Sequence, residues 1–198
     1  MKHFVVTIGC EYGSGGPEIG KMIAESLGIE YYDRDLVDQV VDKLGVDRDL
    51  VEKADTGDTV KYEFDTRLGP RYANLTNRVI YTQFEVIRKL ADKSSCVIIG
   101  RCSDYILKER RDCLNVFIYA PEEARIKHIM ESQNLSGKKA EEIVKYNDSM
   151  LHTRYKYMTG TYRGDRHMRH MMIDSSVLGL EKTAKYIMQL IDLKFENQ

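Results

Sequence analysis

Apolar residues are arranged along the chain in two patterns that alternate with one another. Short runs predict strands over residues 4–9, 29–33, 95–101, 114–120 and 171–174. The runs at 95–101 and 114–120 are continuously apolar, which is typical of strands buried on both faces of a parallel sheet. Segments with apolar residues every three or four positions predict helices over residues 17–27, 35–44, 76–93, 121–133, 138–158 and 178–195. Strands alternating with helices predict an α/β fold of three layers, α/β/α, with a mainly parallel sheet.

A glycine-rich loop, residues 10–16, joins the first predicted strand to a helix that Pro17 opens. Glycines let backbone N–H groups converge on an anion, and a helix N-terminus adds further N–H groups and a partial positive charge. We interpret the turn as a phosphate cradle, and a purely structural glycine turn is the alternative. The cradle comprises Gly9, Gly13, Ser14, Gly15 and Gly16.

The spelling of this loop departs from both common nucleotide motifs. The dinucleotide pattern G-x-G-x-x-G would place its third glycine at Glu18. The mononucleotide pattern G-x-x-x-x-G-K-[ST] would place lysine where Gly16 stands, and the spacing back to Gly9 is one residue too long. Asp33, at the tip of the second predicted strand, suits a ribose hydroxyl in a dinucleotide site or a helix cap. These alternatives remain open at this point.

Arginines are concentrated where an α/β sheet binds ligands. Arg101 ends a buried predicted strand, and open parallel sheets bind ligands at the carboxyl ends of their strands. The stretch 154–166 is rich in arginine and glycine, and the irregular stretch 55–74 contains Arg67 and Arg71. Guanidinium groups bind phosphate in a bidentate fork, although solvated loop residues are the alternative for each arginine singly. Either stretch is placed to close over a bound phosphate compound.

Composition narrows the function classes. A chain of 198 residues with 42% hydrophobic content suits one domain, and a net charge of −1 argues against a polymeric nucleic-acid partner. The apolar runs are too short to cross a bilayer, so no membrane partner is expected. The four cysteines form no C-x-x-C pair, which suits reduced thiols in a cytoplasmic protein.

Several stretches together resemble the cytidylate kinase-like family, a branch of the P-loop nucleoside monophosphate kinases. They follow the family's order and spacing over nearly the whole chain. These stretches are residues 7–8, 11–16, 18–20, 31–33, 97–101, 116–121 with Arg125, 159–160 and 174–176.

The resemblance implies an architecture and a reaction. The architecture is a P-loop NTPase-type fold with about five parallel strands, formed by residues 1–198 as a single domain. An acceptor-binding insertion near residues 55–92 and a lid near residues 137–168 complete it. The reaction is phosphoryl transfer from ATP, with Mg²⁺, to a nucleoside monophosphate such as CMP or to another small phosphate acceptor. In such chemistry the protein positions the phosphates and neutralises their charge.

The resemblance also implies roles for individual residues. The donor phosphates are assigned to Gly13, Ser14, Gly15 and Gly16, with Gly9 beside them. The acceptor side comprises Asp33, Arg67, Arg71, Arg101 and Asp104, of which Arg67, Arg71 and Asp104 are assigned by location rather than by a matched motif. The charges that act in catalysis are assigned to Arg101, Arg125, Arg154 and Arg163.

The loop lacks cations that the family commonly carries. Cys10 and Pro17 stand at two arginine positions, and Gly16 stands at the lysine position of the general motif. Three hypotheses follow, namely a nucleotide kinase, a nucleotide-binding protein without catalysis that acts as a sensor or binding module, and a dinucleotide-dependent enzyme. The sequence leaves the acceptor, the metal ligands and the oligomeric state open.

Overall fold

The computed structural model describes residues 3–33, 35–45, 47–49, 51 and 70–195. Five parallel strands form one sheet in the order β2-β3-β1-β4-β5. Their bounds are β1 Val5–Cys10, β2 Glu30–Tyr32, β3 Cys96–Ile99, β4 Cys113–Tyr119 and β5 Met171–Asp174. The predicted α/β class and mainly parallel sheet are therefore confirmed.

The strands are connected by helices that cover both faces of the sheet. The helices are α1 Gly16–Leu27, α2 Asp35–Leu44, α3 Pro70–Lys93, α4 Ser103–Ile106, α5 Glu122–Gln133, α6 Gly137–Thr159, α7 Ser175–Leu178 and α8 Leu180–Phe195, with a 3₁₀ turn at Arg166–Met168. Among the helices that the structure describes, none combines the length and apolar content needed to cross a lipid bilayer.

Alternating side chains of the central strand β1 form two separate cores. Val6 and Ile8 pack with α1 and α8 on one face of the sheet. Val5 packs with α2 and α3 on the opposite face. Because both faces of β1 are buried, Val5, Val6 and Ile8 are apolar without alternation and Thr7 between them is buried too, as is typical of a central parallel strand. The two cores confirm the three layers.

Two predicted helices begin more than one residue away from the predicted position. Helix α3 begins at Pro70 rather than at residue 76. The predicted helix over residues 178–195 is preceded by the short helix α7, which Asp174 caps by accepting the N–H of Ser176. Gly179 then separates α7 from α8 with a φ of 74°, a left-handed value that glycine adopts without steric cost. Residues 52–69, most of the predicted irregular stretch, lie outside the described residues.

Candidate functional site

The glycine-rich loop between β1 and α1 is held in a fixed shape by left-handed glycines and one buried serine. Gly13 has a φ of 82° and Gly15 a φ of 78°, which side chains with a Cβ rarely adopt. The Ser14 hydroxyl lies 2.9 Å from the carbonyl oxygen of Glu11 and 3.1 Å from that of Ile118, at the end of β4. The loop is therefore anchored to the sheet from within.

Some backbone N–H groups of this loop are used by the protein itself. Those of Glu11 and Ser14 donate to backbone carbonyls, and that of Tyr12 donates to the Asp148 carboxylate at 3.0 Å. By contrast, no hydrogen-bond acceptor within the described ranges takes the N–H groups of Gly13, Gly15 and Gly16. These N–H groups at a helix N-terminus are the groups that an anion would accept hydrogen from.

Close packing explains why this loop contains consecutive glycines. A Cβ at Gly15 would collide with the side chain of Leu180, the first residue of α8. A Cβ at Gly16 would lie 2.5 Å from both Cβ and Sγ of Cys10. Gly16 stands where the general motif has lysine, so Cys10 excludes that lysine as long as it keeps its present position.

The loop borders a cleft of about 760 Å³ at the carboxyl ends of the strands. The cleft collects predicted site residues from different elements of the fold. They are Gly9, Gly13, Gly15, Asp33, Arg101, Asp104, Arg154 and Arg163. Ser14 and Gly16 belong to the loop but lie outside the lining. Arg67 falls outside the described residues, as does the side chain of Arg71.

Arg101 reaches the cleft through an unusual backbone conformation. The chain leaves β3 through Gly100, Arg101 and Cys102, and all three have positive φ values, 61°, 55° and 55°. Non-glycine residues in this left-handed region are uncommon and cost about 1 kcal/mol or more each. The turn directs the chain from the strand into α4 and leaves Arg101 in the cleft lining.

Two further arginines enter the cleft from α6 and from the segment that follows it. Arg154 is buried and donates to the Gln83 side chain at 2.6 Å, which links α6 to α3. Arg163 donates to the carbonyl oxygen of Cys10, and its guanidinium lies 6.0 Å from the centre of the Phe117 ring. Arg163 therefore brings a positive charge to the first residue of the glycine loop.

Arg125 is placed differently from the other predicted catalytic arginines. Its guanidinium donates to Asp148 at 2.5 Å and lies 3.3 Å from Glu11. It also donates to the carbonyl oxygens of Ala120 and Tyr12, each at 3.0 Å. Arg125 does not line the cleft described above. It links the glycine loop, the end of β4 and helix α6.

A second cavity of about 650 Å³ lies beside β4 and β5. Phe117 and Met172 form part of its wall, together with His152 from α6. It shares Glu11 and Arg163 with the main cleft. Arg163 therefore stands between the two cavities.

The thiol beside the loop is neutral at ordinary pH. Burial raises the pKa of Cys10 to about 11, and the nearby Arg163 charge only partly opposes that effect. Cys10 is therefore a small packing residue rather than a thiolate nucleophile.

The chain matches the cytidylate kinase-like family over residues 5–177. It belongs to that family. No curated protein matches the chain.

Several solved structures have a fold similar to that of this chain. An uncharacterised protein from Eubacterium ventriosum is 25% identical, with a TM-score of 0.75, and the match covers 96% of this chain and 99% of that one. A shikimate kinase from Acinetobacter baumannii in complex with shikimate is 16% identical, with a TM-score of 0.51 and coverage of 96% and 93%. A shikimate kinase from Bacteroides thetaiotaomicron is 10% identical, with a TM-score of 0.54 and coverage of 96% and 98%. The predicted P-loop kinase fold is confirmed.

The contacts of Asp104 could not be predicted from the sequence. The structure pairs its carboxylate with Arg169, and the Tyr155 hydroxyl donates to it at 2.6 Å. Burial and the Asp104 charge both raise the pKa of Tyr155, so its hydroxyl stays protonated as a donor. Arg169 and Tyr155 were not predicted as site residues, because neither lies in a glycine-rich or strand-end motif. The available signal for Arg169 was an arginine two residues before the strand β5.

The metal that the family implies has limited support from protein groups. Within the described ranges, no group of three or more histidine, cysteine, aspartate or glutamate side chains is placed to hold a metal ion. The general motif uses a hydroxyl after its lysine for Mg²⁺, and Pro17 stands there. The carboxylates of Asp33 and Glu18 do line the cleft. Mg²⁺ that arrives with nucleotide phosphates needs only one or two carboxylates, so the residues fit that mode.

Proposed function

We propose that this protein transfers a phosphoryl group from ATP, with Mg²⁺, to a nucleoside monophosphate such as CMP or to another small phosphate acceptor. The observation that carries the proposal is the glycine loop, with N–H groups left for an anion, at the edge of a cleft that collects Arg101, Arg154 and Arg163. Membership in the cytidylate kinase-like family supports it.

The geometry suits the charge requirements of this reaction. Phosphoryl transfer spreads negative charge over the oxygens of the transferred group, and catalysis consists mainly of positioning and charge neutralisation. The N–H groups of the loop would hold the donor phosphates. Arg163 contacts the loop and Arg101 follows β3, so two guanidinium groups from different segments line the cleft.

The acceptor would bind on the side of the cleft formed by the ends of β2 and β3. Asp33 and Arg101 line that side, and the proposal adds Arg67 and Arg71 from the insertion near residues 55–92. The segment near residues 137–168 would act as the lid. Asp104 is used within the protein by Arg169 and Tyr155, so we assign it no direct contact with the acceptor.

Mg²⁺ would be held by the nucleotide phosphates, with Asp33 and Glu18 as the nearby carboxylates. When bound, it would neutralise phosphate charge and help to orient the donor. The four cysteines are free, which supports the cytoplasm as the location of this activity.

A second function is favoured by the packing at Gly16. Because Cys10 excludes a lysine there, the loop lacks the cation that normally acts on the β- and γ-phosphates. A protein that binds the nucleotide without transferring phosphate would carry the same loop. The two functions differ in turnover, not in nucleotide binding.

A thermal-shift titration with ATP and Mg²⁺, followed by CMP, tests the proposal first. A ligand that binds only the native state raises apparent stability, by about 2.7 kcal/mol at a concentration a hundred times its Kd. We expect ATP to raise Tm, CMP to raise it further, and NAD to leave it unchanged. Absence of a shift with ATP would exclude both nucleotide functions, and a shift with NAD would favour a dinucleotide site.

A coupled assay for ADP then separates the kinase from the binding protein. We expect ADP formation that depends on the acceptor and that falls at least about a hundredfold in an Arg101→Met variant. Arg111→Met is the matched control, because Arg111 is exposed beside the opposite end of β4. ATP binding without acceptor-dependent ADP, across a panel of nucleoside monophosphates and other small phosphate compounds, would contradict the kinase and favour the second function.

A further inference from the structure

We propose that Arg169 is a positioning residue that holds Arg163 against the glycine loop, where Arg163 supplies the positive charge that the loop itself lacks. The catalytic consequence rests on the proposed function. The structural part, that Arg169 fixes Arg163, is independent of it.

Arg169 is buried where the segment after α6 returns to the sheet. Its side chain is 1% exposed, and its guanidinium donates to Asp104 through Nη1. Nη2 donates to the Arg163 carbonyl oxygen at 2.8 Å and lies 3.4 Å from the Tyr155 hydroxyl. One planar group therefore connects α4, α6 and residue 163.

The surroundings of Arg169 favour a guanidinium over other cations. Its central carbon lies 5.3 Å from the centre of the Phe117 ring and 5.6 Å from that of the Tyr155 ring. A planar, delocalised cation packs against aromatic rings while its edge donates several hydrogen bonds, and the ammonium of lysine cannot reproduce that fork. Arg169 is thus fixed by ring packing, by Asp104 and by hydrogen bonds together.

The hydrogen bond to residue 163 carries this order to the loop. Arg169 fixes the backbone of Arg163 through its carbonyl oxygen, and the Arg163 side chain then donates to the carbonyl oxygen of Cys10. Phe117 lies against both guanidinium groups. The sequence of contacts from Asp104 through Arg169 and Arg163 to Cys10 joins helix α4 to the glycine loop.

The packing at Cys10 explains why this charge comes from outside the loop. A side chain at position 16 would overlap Cβ and Sγ of Cys10, so the loop cannot hold its own lysine with Cys10 in place. Arg163 contacts the same residue at its carbonyl oxygen rather than at its side chain. A donor phosphate on the loop would therefore meet Arg163 rather than a loop lysine.

Hydrogen–deuterium exchange tests the structural part without any activity. We compare Arg169→Lys with Arg166→Lys, a control at an exposed arginine in the adjacent 3₁₀ turn. We expect Arg169→Lys to raise exchange in peptides spanning residues 160–165 and 10–16 and to leave the α8 peptide unchanged, since local opening follows local contacts. Unchanged exchange in both loop peptides would overturn the proposal.

Tyr155→Phe provides a second variant if Arg169→Lys does not fold. It removes the hydroxyl that contacts Asp104 and Arg169 but keeps both charges and the ring. The expected result is a smaller rise in exchange in the same two peptides. A rise confined to α6 would contradict the proposal.

A double-mutant cycle tests the catalytic part. We expect Arg163→Met to lower kcat by about a hundredfold, and Arg169→Lys by about tenfold with a smaller change in KM. If Arg169 acts through Arg163, the double variant has the kcat of Arg163→Met alone. Multiplied losses, or an unchanged kcat in Arg169→Lys, would overturn the positioning role. A wild-type protein without turnover would refute the proposed function instead, and the exchange experiment would still decide the structural part.

Discussion

Arg125 and Arg169 are both buried arginines that join helix α6 to the sheet, yet their carboxylate partners differ in access to water. The partners of Arg125, Glu11 and Asp148, have side chains 34% and 30% exposed. The partner of Arg169, Asp104, is only 5% exposed. Water can therefore solvate the acids around Arg125 when the arginine is lost, whereas Asp104, at the wall of the cleft, exposes far less of its side chain to water. Losing the arginine therefore costs more stability where the carboxylate is buried than where the carboxylate is solvated.

The largest effect is expected when Arg169 is replaced by methionine. This change leaves the Asp104 carboxylate buried and without its cation, at a cost of about 3–5 kcal/mol in the free energy of unfolding. Urea denaturation followed by circular dichroism measures that loss. Adding Asp104→Asn in the same chain should recover part of the stability, because the unpaired charge is then absent.

A smaller effect is expected for Arg125→Met. Its two acids keep contact with water, but the carbonyl groups of Ala120 and Tyr12 lose a donor, so we expect a loss of about 1–3 kcal/mol by the same measurement. A loss larger than that of Arg169→Met would refute the argument from solvent access. In the chain with Arg125→Met, Asp148→Asn should change stability little.

Paired glycine variants isolate the packing of Arg125 against the loop. Gly13 and Gly100 both have left-handed φ values, 82° and 61°. A Cβ at Gly13 would lie 2.9 Å from the backbone oxygen of Arg125, whereas one at Gly100 meets nothing within 4 Å. We therefore expect Gly13→Ala to lose about 1–2 kcal/mol more stability than Gly100→Ala, since both carry the φ strain but only one overlaps a neighbour. Equal losses would show that the loop can move away from Arg125 without a cost in stability.

Low pH is expected to reduce the stability of the fold near Arg169, because the next residue, His170, becomes protonated. The Nδ1 atom of His170 accepts the backbone N–H of Asn115 at 2.8 Å, which only the neutral ring can do. Partial burial of the ring, with a smaller contribution from Lys194, lowers the pKa of His170 below its usual 6.5. The unfolded chain thus binds this proton more readily, so the contribution is present above about pH 6.5 and is lost as pH falls through the folded pKa.

Thermal denaturation at pH 7.5 and pH 5.5 checks this pH dependence. We expect a modest fall in Tm at the lower pH in the wild-type chain and a smaller fall in His170→Asn, whose amide oxygen can accept the same N–H without titrating. Identical falls in the two chains would assign the acid sensitivity to other groups.

The sequence predicted the centre of the sheet because the burial of β1, β3 and β4 is visible in their own residues, whereas the edge strands β2 and β5 are only partly buried. The uninterrupted apolar run before Arg101 implied a strand end at the cleft, and the structure places Arg101 there. The pairs of Arg125 and Arg169 were not predictable, because an ion pair leaves no local periodicity. Asp148 is distant from Arg125 in sequence, and Asp104 even more so from Arg169. The catalytic and substrate roles of the site residues stay predictions.

The central position of β1 determines how late its partners become available for folding during synthesis. Of the five strands, β1 is synthesised before the others, yet it occupies the centre of the sheet, and its neighbours are β3 at Cys96–Ile99 and β4 at Cys113–Tyr119. Leu180, which packs against Gly15, is synthesised later still. In a nascent chain the glycine loop therefore lacks its neighbouring strands and Leu180 until these residues have been synthesised. Non-local pairing of this kind slows folding.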